Sequence, residues 1–239
     1  MERMPEGPPA TTSVPTDAEA ARRALRVQML ATEHWSLLAT RSLSWGESFS
    51  RAGMFLSLLS GSVVALALVA QATAFGDAFA IFALLLLPVV LFVGVATYMR
   101  LLEINNEDYV WVIGMNRLRR AYTELDPELA RHFITGTTED PAGVMLTYGT
   151  HAGGSNFGHG LITTPTTIAF VDAMIAAVLV AIALVQLKMS MAPVAGAGVV
   201  VFLATIVVLG AIGYRSSSHA HAVETMRAGR ERVAAGDEG

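Results

Sequence analysis

The stretch Ala78–Met99, AFAIFALLLLPVVLFVGVATYM, contains no charged side chain. As a helix it is long enough to cross roughly 30 Å of hydrocarbon, which takes about 20 residues. Ala52–Gly76 and Met189–Tyr214 are likewise uncharged, and Thr163–Leu187 contains one charge, Asp172. These four stretches define an all-α integral membrane protein with four transmembrane helices and a cytoplasmic helical layer.

The composition agrees. Charged residues make up 15% of the chain and the mean hydropathy is +0.51, where a soluble chain carries about a quarter charged residues. The net charge of −4 averages unlike regions and names no partner. With no cysteine, disulfides, thiol catalysis and cysteine-ligated metals are excluded. The first fifty residues are polar and lack the apolar core of a cleavable signal peptide. The first span is therefore expected to act as its own insertion signal.

Basic residues near the span ends set the orientation. Arg41, Arg51, Arg100, Arg117, Arg119, Arg215, Arg227, Arg230 and Arg232 flank one side, and the two hairpin tips, Phe75–Asp77 and Leu187–Pro193, offer only Lys188. Both termini and the central segment are expected in the cytoplasm of a cell (inner) membrane. The short tips leave no length for an external ligand-binding domain.

The chain divides accordingly. Residues 1–15, rich in proline, read as a disordered tail. Residues 16–51 read as a cytoplasmic amphipathic helix, capped at Thr16-Asp17 and broken at Gly46. Ala24, Val27, Ala31, Trp35, Leu38 and Trp45 share one apolar face, which either packs on other helices or lies on lipid headgroups. Residues 52–99 form the first transmembrane hairpin, 163–214 the second, and 215–239 a cytoplasmic tail with a short helix over 220–235. Between the hairpins, 100–162 is a cytoplasmic helical segment followed by a Gly-rich loop over 136–160. There Trp111, Met115, Leu118 and Tyr122 recur at steps of four and three, the spacing of a cytoplasmic oligomer seam. Asp126-Pro127 opens a second short helix, and Thr164-Pro165 starts the third span.

Within the spans, Gly53, Ser57, Gly61 and Ala65 make a small-residue ridge, a helix-packing seam within or between copies. Pro88 removes one helical hydrogen bond and predicts a kink. Asp172 lies seven residues past Pro165, about 10 Å into the membrane. An aspartate near the centre of a span costs on the order of 2.5–3.5 kcal/mol on insertion scales. Its carboxyl must find a partner or keep its proton. Judged by depth, Ser57 and Ser60 are the expected donors, with Arg51, Tyr98 and Arg100 reaching from the interface. One reading makes Asp172 a proton or cation site; the other makes it a buried hydrogen bond that fixes helix register.

No catalytic signature is present. His219, His221 and Glu224 form an H-x-H-x-x-E set, but on a helix the two imidazoles point about 200° apart, so no metal site is expected. His151 and His159 flank a Gly-rich loop that matches no nucleotide-binding pattern. Acidic residues interleave with the arginines, which excludes a nucleic-acid surface. No cofactor is implied.

The stretches Glu33–Ser42 (EHWSLLATRS), Ser48–Ser57 (SFSRAGMFLS) and Gly114–Arg119 (GMNRLR) resemble an uncharacterised bacterial multi-pass integral membrane protein family with no assigned activity. The overall plan also looks somewhat like small defence-type membrane effectors, in which a helical hairpin carries cytoplasmic helices. The resemblance implies a membrane location and no site residue. Together these features lead us to expect a non-enzymatic homo-oligomer, channel-like or scaffold-like, in the lipid bilayer, with a cytoplasmic protein partner as a further possibility. The alternative is a small proton-coupled transporter using Asp172.

Overall fold

The structure, a computed structural model, describes residues 16–149 and 163–236, with side chains as far as Ser217. The described residues form five α-helices and no strand: α1 (Asp17–Thr73), α2 (Asp77–Leu125), α3 (Pro141–Thr147), α4 (Thr164–Gln186) and α5 (Met191–Gly236). A 3-10 turn, Pro127–His132, follows α2. α1, α2, α4 and the Met191–Ser217 part of α5 are each long and apolar enough to cross a membrane. The proposed tail, residues 1–15, lies outside the described residues.

Local chemistry places the helix ends. Thr16 caps α1 in a full capping box with Glu19. α1 ends where Ala74 and Phe75 turn left-handed (φ 46° and 58°), and Gly76 leads into α2. Phe75 is held there by an edge-on contact with Phe79, ring centroids 5.2 Å apart. Asp126 caps the turn that follows α2, with Pro127 at its first position. That turn is 3-10, shorter than the expected helix. Asp140-Pro141 repeats the same chemistry and opens α3, inside a stretch whose glycines read as loop. The Asp-Pro pair was the available signal.

α1 is unbroken across Gly46, against expectation. A single glycine costs a helix interior only about 1 kcal/mol, and α2 supports this segment along its length. At 1.5 Å per residue, residues 17–51 carry α1 about 50 Å beyond its apolar window. α2 stays helical through Pro88, which is exposed. The helix expected over 220–235 is the continuation of α5.

α2 is the central helix. α1 lies antiparallel along it, and α4 and α5 pack on it and on each other. The apolar core between them is built from Phe55, Leu87, Val90, Leu101 and Ile168. α1 turns Ser48, Ala52, Phe55, Ser62 and Ala70 toward α2, all buried. In the charged layer beyond the apolar windows, the same side of α1 carries His34 and Arg41 to α2. The apolar face read from the sequence meets α2 only at its edge, where Trp45 donates to Asp108. Val27, Trp35 and Leu38 are exposed, Trp35 at 71%. The side of the helix that meets α2 here carries polar pairs and, at Leu37 against Gly114, an apolar contact.

The expected oligomer seam is also taken up within one chain. Met115 is 2% exposed. Tyr122 stands between His34 and Phe133, with ring centroids 6.1 and 6.4 Å away. Trp111 and Leu118 are half-buried. α1 and the segment after α2 cover the stripe that the spacing assigned to a second copy.

Candidate functional site

Thr163 and Pro165 start α4, and the next two turns bring Asp172 to the point where α1, α2 and α4 meet. Its side chain is fully buried, and neither carboxyl oxygen has a hydrogen-bond partner. Gly94 of α2 makes the space. A Cβ at position 94 would lie 1.8 Å from Oδ1, 2.7 Å from Cγ, and 2.9 Å from Cε2 of Phe55 on α1. The carboxyl thus rests on bare backbone, with the Phe55 ring beside the same position.

None of the expected donors reaches it. Ser57 and Ser60 are exposed, and Ser60 donates to the Leu56 carbonyl (2.8 Å). Both lie on a side of α1 turned away from α2. Tyr98 donates to the Leu209 carbonyl on α5 (2.7 Å). Arg51 and Arg100 both bind Glu47. A carboxylate without donor or counter-charge is far too costly in an apolar interior. The form that fits this packing is the neutral acid.

A second polar centre lies in the charged layer. Asp108 of α2 is 4% exposed and accepts four hydrogen bonds. Arg41 of α1 donates two of them, through Nε to Oδ1 (2.6 Å) and Nη2 to Oδ2 (3.3 Å). Trp45 Nε1 (3.3 Å) and the Tyr148 hydroxyl (2.8 Å) supply the others. The Arg41 guanidinium also lies over the Tyr148 ring, 5.4 Å from its centroid. Burial and the adjacent carboxylate push the Tyr148 hydroxyl far above its ordinary range, so it stays a donor. One carboxylate thereby joins α1, α2 and the chain end of α3.

About two turns further along α2, Asn116 is fully buried. It donates to the Thr138 carbonyl (2.8 Å) and accepts from Arg119 (2.9 Å) and Thr147 (2.7 Å). Thr147 in turn accepts from the Gly136 amide (3.0 Å). The network fixes the segment between α2 and α3. Beside it, burial and then the charge of Arg119 hold His34 below its ordinary range, which keeps the imidazole neutral at pH 7. At the base of the layer Arg100 binds Glu47 through two nitrogens (3.0 and 3.1 Å) and also reaches Glu103 and Glu107. Arg100 and Arg51 together lower the Glu47 carboxyl to about 2. At the other end Arg23 donates to the Leu125 carbonyl.

Sequence reasoning found Asp172 but missed Asp108, Asn116 and Gly94. Among the described residues no group of three or more His, Asp or Glu is placed to hold a metal. His151 and His159, and the side chains of His219, His221 and Glu224, lie outside the described residues. No family model, no curated protein and no solved structure matches this chain.

Proposed function

We propose that the chain is a non-enzymatic, homo-oligomeric protein of the cell membrane, channel-like or scaffold-like. Its termini and charged layer face the cytoplasm, and it acts from that side. The nine-to-one distribution of basic residues supports the orientation. The observation that carries the assembly is the free back of α1.

Because α1 is one helix, the small-residue ridge of the span continues out of it. Thr32, Ser36, Ala39, Leu43, Gly46, Ser50, Gly53, Ser57 and Gly61 follow at steps of three and four and are all exposed. At 3.6 residues per turn this stripe lies about half a turn from His34, Arg41, Ser48 and Phe55, the side that meets α2. Nothing comes within 4 Å of a Cβ built at Gly46, Gly53 or Gly61. Small residues at heptad-like spacing let two helix backbones approach closely. Two copies inserted the same way would present this stripe to each other in parallel, through a two-fold contact.

Single cysteines test this on a chain that has none of its own. In isolated native membranes treated with a thiol oxidant such as copper phenanthroline, Ser36→Cys and Ser50→Cys should form disulfide-linked dimers, while Ser48→Cys, buried against α2, should stay monomeric. Monomers from all three variants would remove the assembly. The alternative reading, a proton-coupled carrier, has the unpartnered carboxyl of Asp172 in its favour.

A further inference from the structure

We propose that Asp172 is a proton-operated latch between α4 and α2. As the neutral acid it lets α4 sit on Gly94, and once its proton is lost to water the charge holds α4 away from α2, with water at the carboxylate. The ligand is a single proton. In the step, a transient parting of α4 from α2 admits water, the carboxyl O–H bond breaks with its electron pair left on oxygen, and the proton passes to that water. The inference rests on the carrier reading for its direction and owes nothing to the assembly of copies.

Three observations carry it. The carboxyl is fully enclosed, neither oxygen has a donor, and it fills the volume that any side chain at position 94 would take.

The surroundings offer nothing to neutralise a charge. On α1 no ionisable group lies between Arg51 and Asp77, and Arg51 is engaged by Glu47. On α2 the nearest are Tyr98, which donates to the Leu209 carbonyl, and Arg100, which is held by three glutamates. α5 has none before Tyr214, and α4 has no other. A new negative charge must therefore be met by water, and only separation of α4 from α2 admits it. Gly94 makes the closed state possible by leaving its own side-chain volume to the carboxyl.

Spin labels test the motion. Phe92→Cys on α2 and Met174→Cys on α4 replace exposed side chains in the cysteine-free chain. Labelled chain is diluted into excess unlabelled chain in lipid nanodiscs, so that only distances within one copy are read. The α2–α4 distance should lengthen by about 2 Å or more as pH rises from about 5 to about 10, a shift typical of helix movements in switching proteins. With Asp172→Asn, a neutral isostere, it should keep the low-pH value throughout. Asp172→Val serves the same purpose if the asparagine variant does not insert. One unchanging distance in the parent chain, or a pH shift that persists in the neutral variants, would overturn the latch.

Discussion

Asp108→Ala should lower the stability of the charged layer by about 3 kcal/mol, the low end for breaking a buried ion pair by removing one partner. The low end applies because Arg41 keeps 20% of its side-chain surface in solvent. The loss is more than one ion pair. Arg41, Trp45 and Tyr148 all lose their acceptor, and two of these anchor different elements to α2. Asp108→Asn keeps the shape and one carbonyl acceptor, so its cost should be smaller, nearer the 1–3 kcal/mol of an unsatisfied buried polar group. Tryptophan emission during denaturant titration reads this directly. All three tryptophans, Trp35, Trp45 and Trp111, sit outside the apolar windows in this layer. An Asp108→Ala chain as stable as the parent would mean that the four hydrogen bonds do not hold the layer together.

Gly94→Ala should be the most damaging single change inside the spans. Its Cβ would need the space of Oδ1, Cγ and the Phe55 ring at once. Overpacking a tight interior costs typically 1–3 kcal/mol, and here three helices share the strain, so the upper end applies. The same substitution in an Asp172→Ala background should cost about 1 kcal/mol or less, since two of the three clashing atoms are gone. A double-mutant cycle on thermal unfolding in detergent would give that coupling. Additive effects would show that Gly94 and Asp172 do not meet as described.

Much of the fold was legible because membrane helices announce themselves by composition. Four uncharged or nearly uncharged stretches cannot be made to fit a soluble chain, and Thr16, Asp126 and Pro165 mark helix starts by purely local chemistry. The partners across helices were not legible. Arg41 and Asp108 are 67 residues apart, and Asp108 stands beside Glu107 in a run of polar residues that looks solvated. Gly94 is one more small residue in VGVAT until Asp172 is seen against it.

The rotation of α1 misled for a definite reason. Its most hydrophobic stripe includes Trp35, but the face toward α2 is chosen by His34, Arg41 and Ser48, which find specific partners or close packing there. In the spans, where neighbouring lipid is as apolar as leucine, hydrophobicity gives even less direction. Asp172 lies at the level of Phe55 on α1, near Ser57 and Ser60, but the choice of those two as donors failed on facing. Those two side chains are exposed, and Ser57 belongs to the free stripe.

That stripe carries the central claim, that copies of this chain assemble along the back of α1. The most direct measurement is the mass of the purified protein in lipid nanodiscs, for the parent chain and for a Gly53→Leu, Gly61→Leu variant. The parent should hold two or more chains per particle, and the variant should fall to one, since leucine at both positions keeps the backbones apart. A parent chain that is monomeric in nanodiscs, or a variant that assembles as fully as the parent, would contradict the account.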